Sequence, residues 1–190
     1  MKYILTITTV FLFLLLATSP VFAQGADIEW DILDQEVKKL YRMGKYDRAM
    51  IIARKALEVA EQNVGPNHPD VATSLIDLAL LYQTQGKYAQ AEPLLKRTLA
   101  INENILGPDH PSVATNLNNL AGLYKDQGQY AEAELLYKRA LAIIVKALGP
   151  DHPNVASGLE NLAALYRTTK RDEEAETLEQ RAARIRAIQR

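Results

Sequence analysis

The sequence predicts an all-α fold, a stack of antiparallel helical hairpins of the α-solenoid class. Three observations predict it: an internal period of 42 residues, apolar residues at helical spacing twice in every period, and Gly-Pro pairs that close each second helix. Residues 65–106 and 107–148 agree at 25 of 42 positions, and residues 149–190 repeat the pattern with more changes. One period upstream, residues 23–64 keep only the second half, as in GKYDRAMIIARKALEVA. Three full units therefore follow one degenerate unit.

The chain opens on a different kind of segment. Lys2 is the only charge in the first 23 residues, and Ile4 to Ala17 forms an uncharged, mostly apolar run of 14. Ser19 and Pro20 follow, with Val21 and Ala23 as small residues before Gln24. This is the anatomy of a secretory signal peptide over residues 1–23, with cleavage expected between Ala23 and Gln24. As a helix the apolar run is about 21 Å long, short of the roughly 30 Å hydrocarbon core of a bilayer. The expected mature chain is residues 24–190, exported to a periplasm or secreted, with no membrane association after cleavage. No linker or low-complexity stretch interrupts it, so one repeat domain is expected.

Within each unit the helices read in order. In residues 107–148, Leu117, Leu120, Ala121 and Tyr124 recur at i, i+3, i+4 and i+7, one apolar helical face. Gly128 breaks that helix. Tyr130, Ala133, Leu136, Tyr137, Ala140, Leu141 and Ile144 mark a second, closed by Leu148 and Gly149-Pro150. Asp151-His152-Pro153 opens the next, with Asp or His as cap and Pro in the first turn. The short turn forces the two helices antiparallel, and Ala121 and Ala133 allow a close approach. A lone hairpin cannot bury its apolar face, so about eight helices of roughly 14–18 residues stack.

The ends differ from the middle, as ends that meet water must. The last helix carries Asp172, Glu173, Glu174, Glu176, Glu179, Arg181, Arg184 and Arg186. At the other end Ile28, Trp30, Ile32 and Leu33 start a helix with Asp27 as its cap, and Trp30 covers the open end.

Leu117, Leu120, Ala121, Tyr124, Gly128, Tyr130, Ala133, Tyr137 and Ala140 carry a pattern that resembles the tetratricopeptide repeat. The 42-residue length, with LNNLA and LGPDHP phrases, is similar to the repeats of kinesin light chains and their bacterial relatives. The resemblance covers residues 65–182 well and 28–64 weakly. It implies a right-handed superhelix, a binding scaffold for protein or peptide, and first helices that line a concave groove. Lys170, Asp172 and Glu179 stand where Gly, Tyr and an aromatic residue are expected, which marks a terminal cap.

Other chemistry finds no footing in the sequence. Without its first 23 residues the chain has 21 basic and 23 acidic residues, a balance that gives nucleic acid no basic surface. There is no cysteine, hence no disulfide or thiolate site. His68, His110 and His152 are one residue of successive units, and such points lie roughly 15–20 Å apart. Metal ligands must converge within about 2.5 Å of one centre, so the histidines read as caps before Pro. The acidic residues avoid the apolar positions of the inner units, where burial would tune a catalytic pKa. Thr73 and Thr115 have no base beside them in the pattern, and no phosphate-binding loop or cofactor motif is present. No catalytic residue, metal site or cofactor is expected. The tyrosines, at repeat spacing, read as packing residues with the hydroxyl reaching an edge.

What remains is the first-helix face that neither packs nor repeats strictly. At 100° per residue, Asn118, Gly122 and Lys125 form a stripe away from the packed face. The corresponding residues are Ile76, Leu80 and Gln83 before it, and Glu160, Ala164 and Arg167 after it. Asp77, Asn119 and Asn161 lie beside these stripes, where the resemblance implies side chains that hold a ligand backbone. The expected peptide-binding residues are Ile76, Asp77, Leu80, Asn118, Asn119, Lys125, Asn161 and Arg167. Asn119 and Asn161 could instead tie neighbouring units together. The rival to an adaptor is a self-associating structural protein with no separate ligand.

Overall fold

The computed structural model describes residues 20–188. Residues 1–19, most of the expected signal peptide, lie outside the described residues. Eight helices follow one another, and no strand occurs among the described residues: α1 (Pro20–Arg42), α2 (Tyr46–Val64), α3 (Pro69–Thr84), α4 (Tyr88–Leu106), α5 (Pro111–Asp126), α6 (Tyr130–Leu148), α7 (Pro153–Thr168) and α8 (Asp172–Ile188). No helix among the described residues is long and apolar enough to cross a membrane.

Helix α1 begins at Pro20, across the expected cleavage point. Asp27 is therefore interior to the helix and not its cap, a correction to the sequence reading. Residues 20–27 contain one Gly and otherwise no breaker after the leading Pro. A single Gly costs only about 1 kcal/mol, so a helix carries through it.

The punctuation works as the sequence implies. His110 and His152 are N-caps whose side chains accept the backbone N–H of Ser112 and Asn154 through Nδ1, each at 3.1 Å. The His68 Nδ1 accepts from the Asp70 N–H at 3.3 Å. Pro111 and Pro153 occupy the first turn, where an N–H would lack a partner. Gly107 and Gly149 end their helices at φ 86° and 89°, a left-handed conformation that L residues rarely adopt. At the fourth hairpin turn Lys170 takes the place of Gly at φ 59°, so the turn survives its loss at a cost in strain.

Contacts group the chain into two compact units, residues up to Asp77 and residues from Leu78 on, the boundary falling inside α3 and not in a linker. In the first unit α1 and α2 pair as a hairpin. Val37 and Leu40 of α1 are buried, as are Ala49, Ala53, Ala56 and Ala60 of α2. Trp30 donates its indole N–H to Ser74 Oγ at 2.8 Å.

In the second unit α5 pairs with α6 and α7 with α8, while α4 lies on α5 and α6 on α7. Ala121 and Ala133, and one period on Ala163 and Ala175, are buried in one cluster where their helices pack. Leucines fill the layers between, with Leu117 and Leu159 in one cluster and Leu95, Leu120 and Leu123 in another. Asn116, buried, donates through Nδ2 to the Thr98 carbonyl at 3.4 Å, and so ties α5 to α4.

Leu117 is fully buried and Leu135 is 70% exposed, although both are leucines on amphipathic helices. Leu117→Ala is expected to cost about 2–5 kcal/mol of stability, and Leu135→Ala under about 0.5 kcal/mol, in urea unfolding. Two helical glycines give a finer comparison. A Cβ at Gly122 meets the Tyr137 hydroxyl at an ordinary 3.6 Å, whereas one at Gly158 meets Leu141 Cδ1 at a tight 3.2 Å. Gly122→Ala should therefore gain roughly 0.5–1 kcal/mol from helix propensity, and Gly158→Ala clearly less, in the same measurement.

Candidate functional site

Burial divides the faces of α5. Val113, Leu117, Leu120, Ala121 and Leu123 are buried, while Asn118, Asn119, Gly122 and Lys125 are half-exposed on the other side. In α7 the matching positions Glu160, Asn161, Ala164 and Arg167 are exposed. Leu80, on the part of α3 that belongs to the second unit, is 40% exposed. In the first unit Ile76 and Asp77 are half-buried.

The expected residues differ in how free they are. Asn118 Oδ1 is shielded from solvent and has no hydrogen-bond partner. No hydrogen bond to Asn119 or Asn161, and no ion pair to Lys125, occurs among the described residues. The asparagine that joins helices of neighbouring units is Asn116, which the sequence reading passed over. Its signal was a polar residue on the packed face of α5, next to Leu117.

Arg167 is not free. Its guanidinium binds Glu179 at 2.7 Å and Asp172 at 3.1 Å, both on α8. Glu160 is held in the same way by Arg186, at 2.7 and 2.6 Å, which keeps its carboxyl below the usual carboxylate range. Two charged residues of the last unit's stripe are thus paired with α8 while staying exposed, and the unpaired polar groups concentrate on α5 and Asn161.

Tyr124, Tyr137 and Tyr166 pack between helices as their spacing implies, whereas Tyr46 and Tyr130 are exposed. Tyr124 donates to Glu92 at 3.1 Å, and Lys96 binds the same carboxylate at 2.7 Å. One period later Tyr166 donates to Glu134 at 2.9 Å, beside Lys138 at 2.6 Å. Arg171 adds an ion pair to Glu134 at 2.6 Å and stacks over the Tyr166 ring at 3.8 Å. Hydrogen bonds from Lys138, Arg171 and Tyr166, the first the largest influence, hold the Glu134 carboxyl down at about 2 against a cost of burial. The Tyr137 ring is buried, and burial pushes its hydroxyl up to about 12, so it remains a neutral donor beside Gly122.

One group is tuned near neutrality. The Asp77 carboxyl is pushed up to about 7, mainly by burial, then by the charge of Asp34 and a hydrogen bond to it, with Lys38 opposing. Asp34 is itself 9% exposed, an acid that sequence reasoning missed. The clue was its place on α1 between Trp30 and Lys38, one turn from each and adjacent to the stripe of Leu33, Val37 and Leu40.

A family profile described as tetratricopeptide repeat matches residues 40–104, 78–144 and 119–187. No curated protein matches the chain. Among solved structures, BtubC (BKLC) from P. vanneervenii superposes on 86% of the chain with TM-score 0.78 and 28% identity. This chain spans 65% of that one, just under two thirds of its length. A putative kinesin light chain of Podosopora anserina, with nearly identical TPR-like repeats, matches 84% of this chain and 75% of its own, at TM-score 0.72 and 25% identity. PilF of Pseudomonas aeruginosa shares the fold at TM-score 0.64 and 23% identity, over 85% of this chain and 63% of its own. Proteins built from these repeats are typically non-catalytic scaffolds that bind other proteins or self-associate. Matched along 40–187 and folded as kinesin light chain repeats fold, the chain belongs to the tetratricopeptide repeat family.

Proposed function

We propose that the chain is an exported, non-catalytic adaptor that holds a peptide or protein segment against the exposed face of its first helices, with α5 at the centre. The observation that carries this reading is that Asn119, Asn161 and Lys125 are half-exposed or exposed and have no hydrogen-bond or ion-pair partner among the described residues. Exposed polar groups without an internal partner are free to bond to another chain without breaking a bond within this one. Asn119 and Asn161 offer both donors and acceptors to the alternating groups of an extended chain. Lys125 adds a cation for a carboxylate, and Leu80, 40% exposed, adds an apolar contact. Arg167 acts in this reading as a clamp on α8 and not as a ligand contact. Export rests on the lysine, apolar run and small-residue site of residues 1–23.

Charge on the outer face of α8 counts against self-stacking through that helix, whereas α1 carries Glu36 and Lys39 beside exposed Ile28 and Ile32. Glu36 and Lys39 of α1, paired at 3.1 Å, stand where α5 has Leu120 and Leu123. Glu179 and Arg186 of α8 stand where α6 has Tyr137 and Ile144. Another helix laid on either face would have to desolvate those charges.

Three measurements test the proposal. The mature protein should begin at Gln24 by mass spectrometry and run as a monomer in light scattering. Cross-linking in the native host, followed by recovery from the exported fraction, should capture a partner. The Asn119→Ala, Asn161→Ala double variant should recover at least about tenfold less of it, a loss of about 1.4 kcal/mol. Equal recovery removes these asparagines from the site, and a concentration-dependent dimer without a partner replaces the adaptor with self-association.

A further inference from the structure

In the first unit two acids meet where later units carry none. Asp34 of α1 corresponds, 84 residues on, to Asn118, and Asp77 of α3 corresponds to Asn161. The Asp34 Oδ2 takes the Lys38 ammonium at 2.7 Å. Its Oδ1 is sealed from solvent, and no fixed donor reaches it. One turn earlier on each helix Trp30 bonds to Ser74 at 2.8 Å, and that register sets Asp77 beside Asp34, where the charge of Asp34 raises its carboxyl. Two carboxylates are all acceptor, so a hydrogen bond between them requires a proton on one. An Asn offers that donor at any pH; an Asp offers it only when protonated. One turn away the Trp30–Ser74 bond joins the same two helices without any charge, which fixes their register independently of pH.

We propose that Asp34 and Asp77 are a proton-sharing latch that fastens α1 to α3 while the pair holds one proton and loosens that junction when the proton leaves. With the proton present, the pair carries one negative charge, matched by Lys38. Without it, two half-buried negative charges face one cation. The charges that bear on Asp77 are those of Asp34 and Lys38 on α1, and α2 contributes none. The neighbouring acid on its own helix, Asp70, is turned to His68 at 3.2 Å. The latch releases around neutral pH because the Asp77 carboxyl is pushed up to about 7. The folded chain binds this proton more tightly than the unfolded chain, whose Asp has the ordinary value of 3.8. The contribution to stability is therefore complete below 3.8 and is lost as pH rises through about 7. The latch is independent of any ligand and of the adaptor reading.

The test compares wild type with Asp77→Asn and Asp34→Asn in the full mature chain. By carboxyl carbon-13 NMR, Asp77 should titrate near neutrality in wild type. Asp34→Asn, which leaves Asp77 beside Lys38 alone, should move that titration down. In denaturant unfolding, the wild-type unfolding constant should rise roughly 10- to 30-fold more than that of Asp77→Asn between pH 5.5 and 8. The three histidines are common to both proteins, so the difference isolates the pair. Above pH 7, amide exchange in α1 around Trp30 to Lys38 should be faster in wild type than in Asp77→Asn at the same pH. An Asp77 titration near 3.8, one that Asp34→Asn leaves unmoved, parallel unfolding profiles, or equal α1 exchange would each overturn the latch.

Discussion

Everything in this chain depends on helices that can approach closely at alanine. Ala121 and Ala133 are fully buried, and so are Ala163 and Ala175 one period on. A larger side chain at any of these crossings would push the helices apart and open the leucine layers beside them. With the crossing close, Leu117 and Leu159 come into one apolar cluster contributed by several helices. No single hairpin supplies enough partners for such leucines, so burial is a property of the stack and each unit is stable through its neighbours. The strict recurrence of Ala and Leu in the sequence is the record of that mutual dependence.

The parts of the fold that are local were legible. Helical spacing, the Gly at the left-handed turn, the His-Pro start and the alanine crossings each lie within about 20 residues, and each repeats. The histidines were legible as caps because a cap is set by the two residues after it. What could not be read depends on how one unit meets the next. The angle of residue 167 on its helix placed Arg167 in the stripe, but a long side chain goes where its charge is answered, and Glu179 and Asp172 answer it from α8. Asp34 and Asp77 are 43 residues apart, one more than the period, so superimposing repeats does not bring them together. The earlier start of α1 escaped because the residues before Asp27 are neutral in propensity, and only the absence of a strong breaker decides the matter.

Charge and hydrogen bonding divide the labour in the second unit. Carboxylates are spent on the junctions, where Glu92 takes Tyr124 and Lys96, and Glu134 takes Tyr166, Lys138 and Arg171. The exposed face of α5 is left with amides, one lysine and a glycine. In the proposed adaptor role, such a face would recognise a segment by the geometry of its backbone more than by its net charge. On α5 the stripe positions can change without breaking an ion pair to a neighbouring helix, whereas on α7 Glu160 and Arg167 are tied to α8.

The paired ions at both extremities bear on how such a protein can grow. Copying an interior block inserts leucine and tyrosine surfaces between others of the same kind, and the new seam is dry. Copying the final block instead would trap Glu179 and Arg186 inside a seam, far from the water that now solvates them. Duplication of an interior block therefore keeps the seams apolar, whereas duplication of the last block would bury an ion-paired surface.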